Sequence, residues 1–246
     1  FIEAGVPAAL GAVVAGDGNT VGNAVVDAAD YVAFTGSSAT GIRVGERAMS
    51  TLTGASLELG GKNPLIVLDD VKPATAAANA VYSVFSSMGQ LCVSIERIYV
   101  ARSVAEEFTA AFVSRTQALS QGPALDYTTD VGSLTSAAQL ERVQKHVDDA
   151  VKKGATVLAG GKARPDLGPF FFEPTVLANV TEAMECFAHE TFGPVVAITV
   201  VDSEEEAIAA ANASEFGLNA SVFSGSVSRA RRVADRLDAG SVNINE

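Results

Sequence analysis

Short apolar segments alternate with alanine-rich segments of helical length along most of this chain, which restricts the folds that it can adopt. The predicted strands are residues 12–15, 31–35, 64–68, 97–101, 156–159, 195–201, 220–223 and 241–244. The predicted helices are residues 20–28, 39–49, 74–86, 104–119, 136–153, 204–213 and 226–237. The strands are apolar throughout, as expected when helices cover both faces of a sheet. The alternation therefore predicts an α/β fold with parallel sheets and right-handed crossovers.

Charge and composition exclude several classes of function. The formal net charge is −12, and an acidic surface repels phosphate backbones and anionic lipid headgroups. We therefore expect no nucleic-acid partner and no membrane partner, and no apolar run approaches the roughly 20 residues of a membrane helix. Cys92 and Cys186 are too few for a disulfide framework, which favours a cytoplasmic location.

The pair Gly60-Gly61 predicts a boundary between domains. Before it lie two βα units, which are too few to fill a sheet, and after it lies a self-sufficient α/β set. The chain begins at Phe1 without an initiator methionine and ends at Glu246 within an apparent strand. We therefore expect the sequence to be part of a longer protein.

One cysteine and one glutamate have the sequence context of catalytic groups. Cys92 follows the flexible pair Gly89-Gln90, which can present its sulfur on strained backbone. Glu58 lies in the apolar segment Leu-Glu-Leu, where partial desolvation would make it a general base. A thiol nucleophile with such a base can form a thioester and hydrolyse it. The alternatives are that Cys92 is a buried small hydrophobe, and that Glu58 is a buried carboxylate with its hydrogen bonds satisfied or one end of an ion pair with Lys62.

Two turns rich in glycine and hydroxyl residues follow predicted strands and precede predicted helices. The first covers residues 14–22 with the spacing Gly-x-Gly-x-x-x-Gly, and the second is Phe-Thr-Gly-Ser-Ser at residues 34–38. Glycines at a helix N-terminus let the backbone approach a phosphate, so the two turns together can hold a pyrophosphate. The alternatives are an ordinary strand-to-helix turn and N-capping of a helix by Ser37 or Ser38.

The segment Glu-Thr-Phe-Gly-Pro at residues 190–194 precedes a strongly apolar strand. Glu190 and Phe192, an acid and an aromatic two positions apart, can hold a ribose and its attached ring. The alternative is a loop with Phe192 as its anchor. His146 and His189 have no Asp, Glu or Cys at ligand spacing, so no metal site is expected.

The order Phe-Thr-Gly-Ser, Glu-Leu-Gly-Gly-Lys, Gly-Gln-x-Cys and Glu-x-Phe-Gly-Pro resembles the aldehyde dehydrogenase superfamily over essentially the whole chain. The resemblance implies that Cys92 attacks the aldehyde carbon and that its backbone N–H supplies half of an oxyanion hole. It implies that Glu58 activates water against the thioester and that the cofactor is NAD or NADP. The implied cofactor contacts are Gly18, Gly22, Gly36, Ser37, Gly41, Leu59, Glu190 and Phe192.

The same resemblance divides the chain into two functional parts. Residues 1–59 resemble part of a Rossmann-like NAD(P)-binding domain, and residues 60–246 resemble a catalytic α/β domain truncated at its C-terminus. Family members carry an oxyanion-hole Asn and a ribose-binding Lys upstream of where this chain begins, so we expect the 246-residue chain to be inactive alone. The full-length parent is expected to be a homo-oligomer that acts on a small-molecule aldehyde.

Residues 89–100 resemble the corresponding segment of bacterial succinate-semialdehyde dehydrogenases. Two positions differ from that pattern: Ser94 replaces a second cysteine that many such enzymes carry, and Ser86 stands about where several place an arginine for the substrate carboxylate. The resemblance predicts oxidation of succinate semialdehyde through a Cys92 thiohemiacetal and thioester. One alternative is that the substrate is another semialdehyde or that the enzyme accepts aldehydes in general. A second is a CoA-acylating enzyme, although that branch typically lacks a base at the position of Glu58. A third is a folded but inactive module.

Overall fold

The computed structural model describes residues 2–124, 126 and 128–246. The chain forms two compact units, a smaller one up to Gly60 and a larger one from Gly61 to Glu246. Among the described residues, every helix is too short or too polar to cross a lipid bilayer.

The smaller unit is a parallel pair of strands with two helices. Its elements in chain order are a π-turn at Gly18–Gly22, α1 (Asn23–Ala28), β1 (Tyr31–Thr35), α2 (Ser38–Ser50) and β2 (Gly54–Glu58). The register places Thr35 opposite Glu58, so the carboxyl ends of both strands meet at one edge. Ser37 caps α2, because its side-chain oxygen accepts a hydrogen bond from the Thr40 N–H.

The larger unit is built on a seven-stranded sheet. Its strands in chain order are β3 (Asn63–Val67), β4 (Ile95–Ala101), β5 (Thr156–Ala159), β6 (Thr175–Ala178), β7 (Val195–Val201), β8 (Asn219–Phe223) and β9 (Ser241–Ile244). The spatial order is β5-β6-β7-β4-β3-β8-β9, and every neighbouring pair is parallel except β5 with β6.

Helices cover both faces of this sheet. They are α3 (Pro73–Phe85), α4 (Arg102–Gln117), α5 (Ala137–Lys152), α6 (Glu185–Ala188), α7 (Glu204–Asn212) and α8 (Val227–Ala234). In β3, Leu65 and Val67 belong to one core cluster, whereas Ile66 and Leu68 belong to the other. Successive side chains of a strand point to opposite faces, so a strand buried on both faces must be apolar throughout.

Most predicted elements are confirmed, including the strands at 31–35, 156–159, 195–201 and 241–244. The predicted strand at 12–15 is wrong: this segment has no regular structure and Val13 is 98 % exposed, since no described strand pairs with it. β2 was not predicted, because glycine, alanine and glutamate are depleted in strands. β6, with only four residues, was also missed, and β5 is antiparallel, which an edge strand of a mostly parallel sheet can be.

Candidate active site

The motifs of the larger unit meet at one edge of its sheet. Gly61 and Lys62 precede β3, Cys92 precedes β4, and the loop of residues 190–192 (the 190–192 loop) precedes β7. Because β3, β4 and β7 are parallel, their amino ends lie at the same edge. This placement differs from the usual one in open α/β sheets, where ligands bind at the carboxyl ends of the strands.

Cys92 occupies a tight turn in front of β4. The Ser94 N–H donates to the Leu91 carbonyl oxygen at 3.0 Å, which closes the turn around Cys92. The Cys92 side chain is half-buried, and its neighbours Leu91 and Val93 are exposed. Cys92 is therefore not a buried core residue, and a substrate can approach its turn.

The backbone just before this turn is strained. Ser87, Met88 and Gly89 have φ angles of 52°, 60° and 67°, which is a left-handed run that costs free energy for residues with a side chain. Gln90 holds the run in place, since its Oε1 accepts from the Thr135 N–H at 2.9 Å and its Nε2 donates to the Ser87 carbonyl oxygen at 3.2 Å. The strain expected around the Gly-Gln pair is present, and Gln90 stabilises it.

Two motifs that are distant in sequence touch at a pair of glycines. A Cβ atom on Gly89 would lie 2.2 Å from the Gly193 carbonyl oxygen, so only glycine fits at this crossing. Gly89 belongs to the Gly-Gln-x-Cys motif and Gly193 to the Glu-x-Phe-Gly-Pro motif. The fold thus packs the segment before Cys92 against the segment that follows the 190–192 loop.

Asn63 and Gly61 fix the backbone of Cys92. Asn63 Nδ2 donates to the carbonyl oxygens of Cys92 and Ser94 at 2.7 and 2.8 Å, and Asn63 Oδ1 accepts from the Asn219 N–H at 3.1 Å. A Cβ atom on Gly61 would lie 2.4 Å from the Cys92 carbonyl oxygen. The segment after the predicted boundary therefore sets the position of Cys92.

The Glu190 carboxylate lies beside the same glycine. The Gly61 N–H donates to Glu190 Oε1 at 3.0 Å. Burial raises the pKa of Glu190 above its usual range, because a carboxylate loses solvation, and the Gly61 N–H opposes this shift in part. A carboxylate held in this way can accept hydrogen bonds from sugar hydroxyls.

Two side chains of α5 contact the main chain of the 190–192 loop and the hydroxyl group of Thr191. Gln139 Nε2 donates to the carbonyl oxygens of Thr191 and Phe192 at 2.9 and 2.7 Å. His146 Nδ1 lies 3.1 Å from Thr191 Oγ1, and burial lowers the pKa of His146 to about 4. His146 is thus a neutral hydrogen-bonding group at neutral pH. The described residues contain no group of three or more potential metal ligands.

A buried ion pair adjoins the same loop. Lys62 Nζ pairs with Glu96 Oε2, and the two side chains are 2 % and 4 % exposed. The Thr191 N–H donates to Glu96 Oε2 at 3.0 Å, and the Phe192 N–H donates to Glu96 Oε1 at 2.9 Å. Lys62 therefore pairs with Glu96 and not with Glu58, the partner considered from the sequence.

Within the smaller unit, the fold gathers five of the predicted site residues. The Gly36 N–H donates to the Glu58 carbonyl oxygen at 3.0 Å, so Glu58 lies beside the turn that contains Ser37. A Cβ atom on Gly41 would lie 2.3 Å from a methyl carbon of Leu59, so α2 packs closely against the segment after β2. Four predicted cofactor contacts and the predicted base thus lie in the turn before α2, in α2 itself, and at or just after the end of β2.

The Glu58 side chain itself is exposed, in contrast to the expected partial desolvation. β2 pairs with one neighbouring strand, and its residues are mostly exposed. The flanking residues Leu57 and Leu59 are only half-buried, so the apolar Leu-Glu-Leu context does not bury the carboxylate in this chain.

Gly18 and Gly22 begin and end the π-turn before α1. Asp17 caps this turn, because its carboxylate accepts hydrogen bonds from the Asn19 and Thr20 N–H groups at 2.9 Å each. The Thr20 N–H is the main cause of the lowered pKa of Asp17. Asp17 occupies N–H groups that a phosphate would need, which leaves the second turn as the better phosphate site.

The two cysteines differ in their surroundings, which predicts a difference in reactivity. Cys186 is 4 % exposed, and burial raises its pKa. We expect sub-stoichiometric iodoacetamide to modify Cys92 in the native chain at least about 10-fold faster than Cys186, because the reagent can reach the half-buried Cys92 whereas Cys186 is buried. Peptide mapping after short labelling measures the ratio. Cys186→Ser should leave the Cys92 rate unchanged, and preferential labelling of Cys186 would contradict the assignment.

A cavity of about 740 Å³ opens beside the Cys92 turn. Its wall combines Leu91 and Val93 with side chains of α3, β8 and β9, which are mostly hydroxyl and amide groups. Ser94 Oγ lies buried at this wall without a hydrogen-bond partner. Among the described lining residues, Glu246 is the one charged group.

The two arginines nearest to the motifs in sequence already have other contacts. Arg97 is 5 % exposed, and its guanidinium donates to the carbonyl oxygens of Lys62, Ala210 and Ala211 at 2.7, 3.2 and 3.0 Å. Arg43 lies exposed on α2 and donates to Thr40 Oγ1 at 3.3 Å. Arg97 is thus committed to the core and does not serve as a carboxylate clamp.

Comparison with known proteins decides the family. The sequence profile described as "Aldehyde dehydrogenase family" matches residues 1–246. This chain belongs to the aldehyde dehydrogenase family. The betaine aldehyde dehydrogenase of Staphylococcus aureus, solved in complex with NAD+, superposes on this aldehyde dehydrogenase chain with a TM-score of 0.89. The two are 36 % identical, and the match covers 94 % of this chain and 47 % of that one.

Curated relatives of this aldehyde dehydrogenase chain include two differently named groups. A Mycobacterium tuberculosis (strain H37Rv) protein named "Putative succinate-semialdehyde dehydrogenase [NADP(+)] 2" is 54 % identical over 244 residues, which are 99 % of this chain and 47 % of that protein. The betaine aldehyde dehydrogenase of Rhizobium leguminosarum is 41 % identical over 247 residues, covering 99 % of this chain and 50 % of that protein. The chain spans about half the length of the curated relatives it matches.

Three residues that hold the candidate site together were missed in the sequence: Asn63, Glu96 and Gln139. Glu96 carries a usable signal, because an acid inside the apolar strand β4 is the same kind of anomaly that indicated Glu58. Asn63 and Gln139 carry none, since polar amides at the start of strands and helices are common.

Proposed function

We propose that the protein carrying this chain is an NAD(P)-dependent aldehyde dehydrogenase with Cys92 as its nucleophile and Glu58 as its general base. The supporting observation is the meeting of Gly61, the Cys92 turn and the 190–192 loop at one sheet edge, in a chain of the aldehyde dehydrogenase family. We assign residues 1–59 to part of the NAD(P)-binding domain and residues 60–246 to the catalytic domain.

The proposed reaction uses the thiol and the carboxylate in sequence. The Cys92 thiolate adds to the aldehyde carbon, and the Cys92 N–H donates a hydrogen bond to the resulting alkoxide. Bound NAD or NADP supplies the hydride acceptor that converts this thiohemiacetal to a thioester. Glu58 then takes a proton from water as the water oxygen attacks the thioester carbon, and collapse releases the carboxylic acid and the Cys92 thiolate.

The residues present fit a nicotinamide dinucleotide. Glu190 offers a half-buried carboxylate for ribose hydroxyls, and Phe192 lies two positions further on, with its N–H and carbonyl oxygen both hydrogen-bonded. Gly36 and Ser37 precede α2, whose N-terminus attracts the negative charge of a pyrophosphate. The M. tuberculosis relative is named for NADP(+) and the S. aureus structure contains NAD+, so both cofactors are candidates.

We propose succinate semialdehyde as the substrate, on the basis of the 54 % identity to the M. tuberculosis relative of that name. The cavity beside Cys92 supports a second candidate. Its described lining contains no lysine or arginine and includes Glu246, which favours a neutral or cationic aldehyde. A betaine aldehyde is such a cation, and it is the substrate in the name of the R. leguminosarum relative.

Steady-state assays of the full-length protein, meaning a protein of its relatives' length that contains this chain, decide between these substrates. If the substrate carboxylate is bound, kcat/KM for succinate semialdehyde should exceed that for butanal by roughly 10- to 200-fold. Equal values would remove the semialdehyde assignment, and a preference for betaine aldehyde would establish the second candidate.

The same assays test the reaction class. Acyl-CoA formation on addition of CoA, without carboxylic acid in its absence, would identify a CoA-acylating enzyme and contradict the role of Glu58. No NAD(P)H from any aldehyde would contradict the proposed activity itself. The 246-residue chain is assayed in parallel, and we expect it to produce no NAD(P)H.

We also propose a cytoplasmic homo-oligomer as the form of the full-length protein. Two unpaired cysteines are compatible with a reducing compartment. Sedimentation equilibrium of the full-length protein measures its oligomeric state directly.

A further inference from the structure

Glu96 is a buried carboxylate on the strand that leads away from the nucleophile. It is the second residue of β4, four positions after Cys92, and it is 4 % exposed. A carboxylate taken out of water is costly unless several donors compensate it. The neighbours of Glu96 are therefore informative about why the chain has an acid at this position.

The donors around Glu96 come from two of the motifs. Lys62 Nζ, from the Glu-Leu-Gly-Gly-Lys motif, pairs with Oε2, and the Thr191 N–H donates to the same oxygen at 3.0 Å. The Phe192 N–H donates to Oε1 at 2.9 Å, and Phe192 has a left-handed φ of 52°. Glu96 thus joins the strand of the nucleophile to the 190–192 loop and holds that loop in a strained conformation.

Only a carboxylate satisfies this set of donors. Both oxygens of Glu96 face donors, one the Lys62 ammonium and the other the Phe192 N–H. A glutamine side chain would have to turn its NH₂ group toward one of these, which places donor against donor. Glu96 therefore has a more specific role than filling space in the core.

We propose that Glu96 is a positioning residue that sets the Glu190 carboxylate for the nicotinamide cofactor by fixing the main chain of Thr191 and Phe192. This inference rests on the proposed function for its effect on cofactor binding. Gln139 holds the Thr191 and Phe192 carbonyl oxygens and the Gly61 N–H holds the Glu190 carboxylate, so the removal of Glu96 leaves the Thr191 and Phe192 N–H groups without their acceptor and frees the loop main chain on the β4 side. Glu190 should then lose its fixed orientation toward the cofactor, while Cys92 keeps its own anchor through Asn63.

Two substitutions of Glu96 distinguish a role in holding the loop from a role only as the buried counter-charge of Lys62. Glu96→Gln removes the charge, whereas Glu96→Asp keeps the charge opposite Lys62 but is one methylene too short for the loop N–H groups. For both variants of the full-length protein, we expect the Kd for NAD(P)+ to rise about 10- to 100-fold, because two charge-assisted hydrogen bonds are lost. The alkylation rate of Cys92 in Glu96→Asp should stay within about twofold of the wild-type rate. Glu141→Gln, at an exposed position of α5, is the matched control.

Hydrogen exchange tests the geometry in the 246-residue chain, independently of any activity. The amides of Thr191 and Phe192 should be protected in the wild type and exchange at least about 10-fold faster in Glu96→Asp. If the wild-type amides exchange freely, or if Kd is unchanged in a folded Glu96→Asp protein, the positioning role is wrong. If the wild-type protein neither binds nor reduces NAD(P)+, the proposed function fails, whereas the exchange result still reports on the loop.

Discussion

Replacement of Glu58 by glutamine in the full-length protein is expected to lower steady-state turnover by roughly 100- to 10,000-fold, the usual range for loss of a general base. The amide keeps the shape of the side chain but cannot take a proton from water. Addition of Cys92 to the aldehyde and loss of hydride do not need this base, so NAD(P)H should still form in a rapid burst. Stopped-flow absorbance at 340 nm measures the burst and the steady state in one experiment.

The exposed position of Glu58 makes a matched control necessary. Glu46→Gln changes another exposed glutamate of the smaller unit, on α2, and should leave both phases unchanged. A burst that falls in proportion to the steady state would show that Glu58 acts before the thioester forms or only in the structure. Trapping of the acyl-enzyme by acid quench and mass spectrometry provides a second measurement, since the thioester should accumulate on Cys92.

Lys62→Met is expected to destabilise the larger unit by roughly 3–5 kcal/mol, because it leaves the Glu96 carboxylate buried without its counter-charge. Methionine has a similar length, so the loss is mainly electrostatic. Urea unfolding of the 246-residue chain, followed by far-UV circular dichroism, measures the free energy of unfolding. An unchanged midpoint would show that the ion pair is compensated by other groups.

The same substitution at a half-exposed lysine isolates the effect of burial. Lys153 pairs with Asp149 at 2.7 Å with the two side chains 38 % and 20 % exposed, so Lys153→Met should cost no more than about 1 kcal/mol. The double variant Lys62→Met/Glu96→Gln should recover a part of the lost stability, since a neutral amide oxygen can still accept the loop hydrogen bonds. A double variant no more stable than Lys62→Met would contradict this account of the pair.

The fold class followed from local patterns in the sequence. Strands that are buried on both faces must be apolar throughout, and helices that pack on them must be rich in small residues, so β3, β8 and the parallel α/β arrangement were predictable. The prediction failed where a strand depends on its neighbour. Residues 12–15 have strand-like composition without a described partner, and β2 has a poor strand composition but pairs with β1.

The candidate residues of the proposed site could be picked out from the sequence. A cysteine after Gly-Gln, an acid in an apolar segment and the pair Glu190 and Phe192 are local anomalies, and each is marked by residue type alone. The left-handed backbone before Cys92 agrees with the first of these. The exposure of Glu58 shows the limit of such reasoning, since apolar neighbours do not guarantee that a side chain is buried.

By itself, the sequence determined the residue types and the order of the elements, because strand and helix periodicity and motif spacing are properties of neighbouring residues. Only the tertiary structure decided which of these residues touch. The parallel sheet brings Gly61, the Cys92 turn and the 190–192 loop to its amino edge, and it makes Glu96 the partner of Lys62. These contacts join residues from different strands, and such pairings depend on strand order and register, which no local pattern encodes.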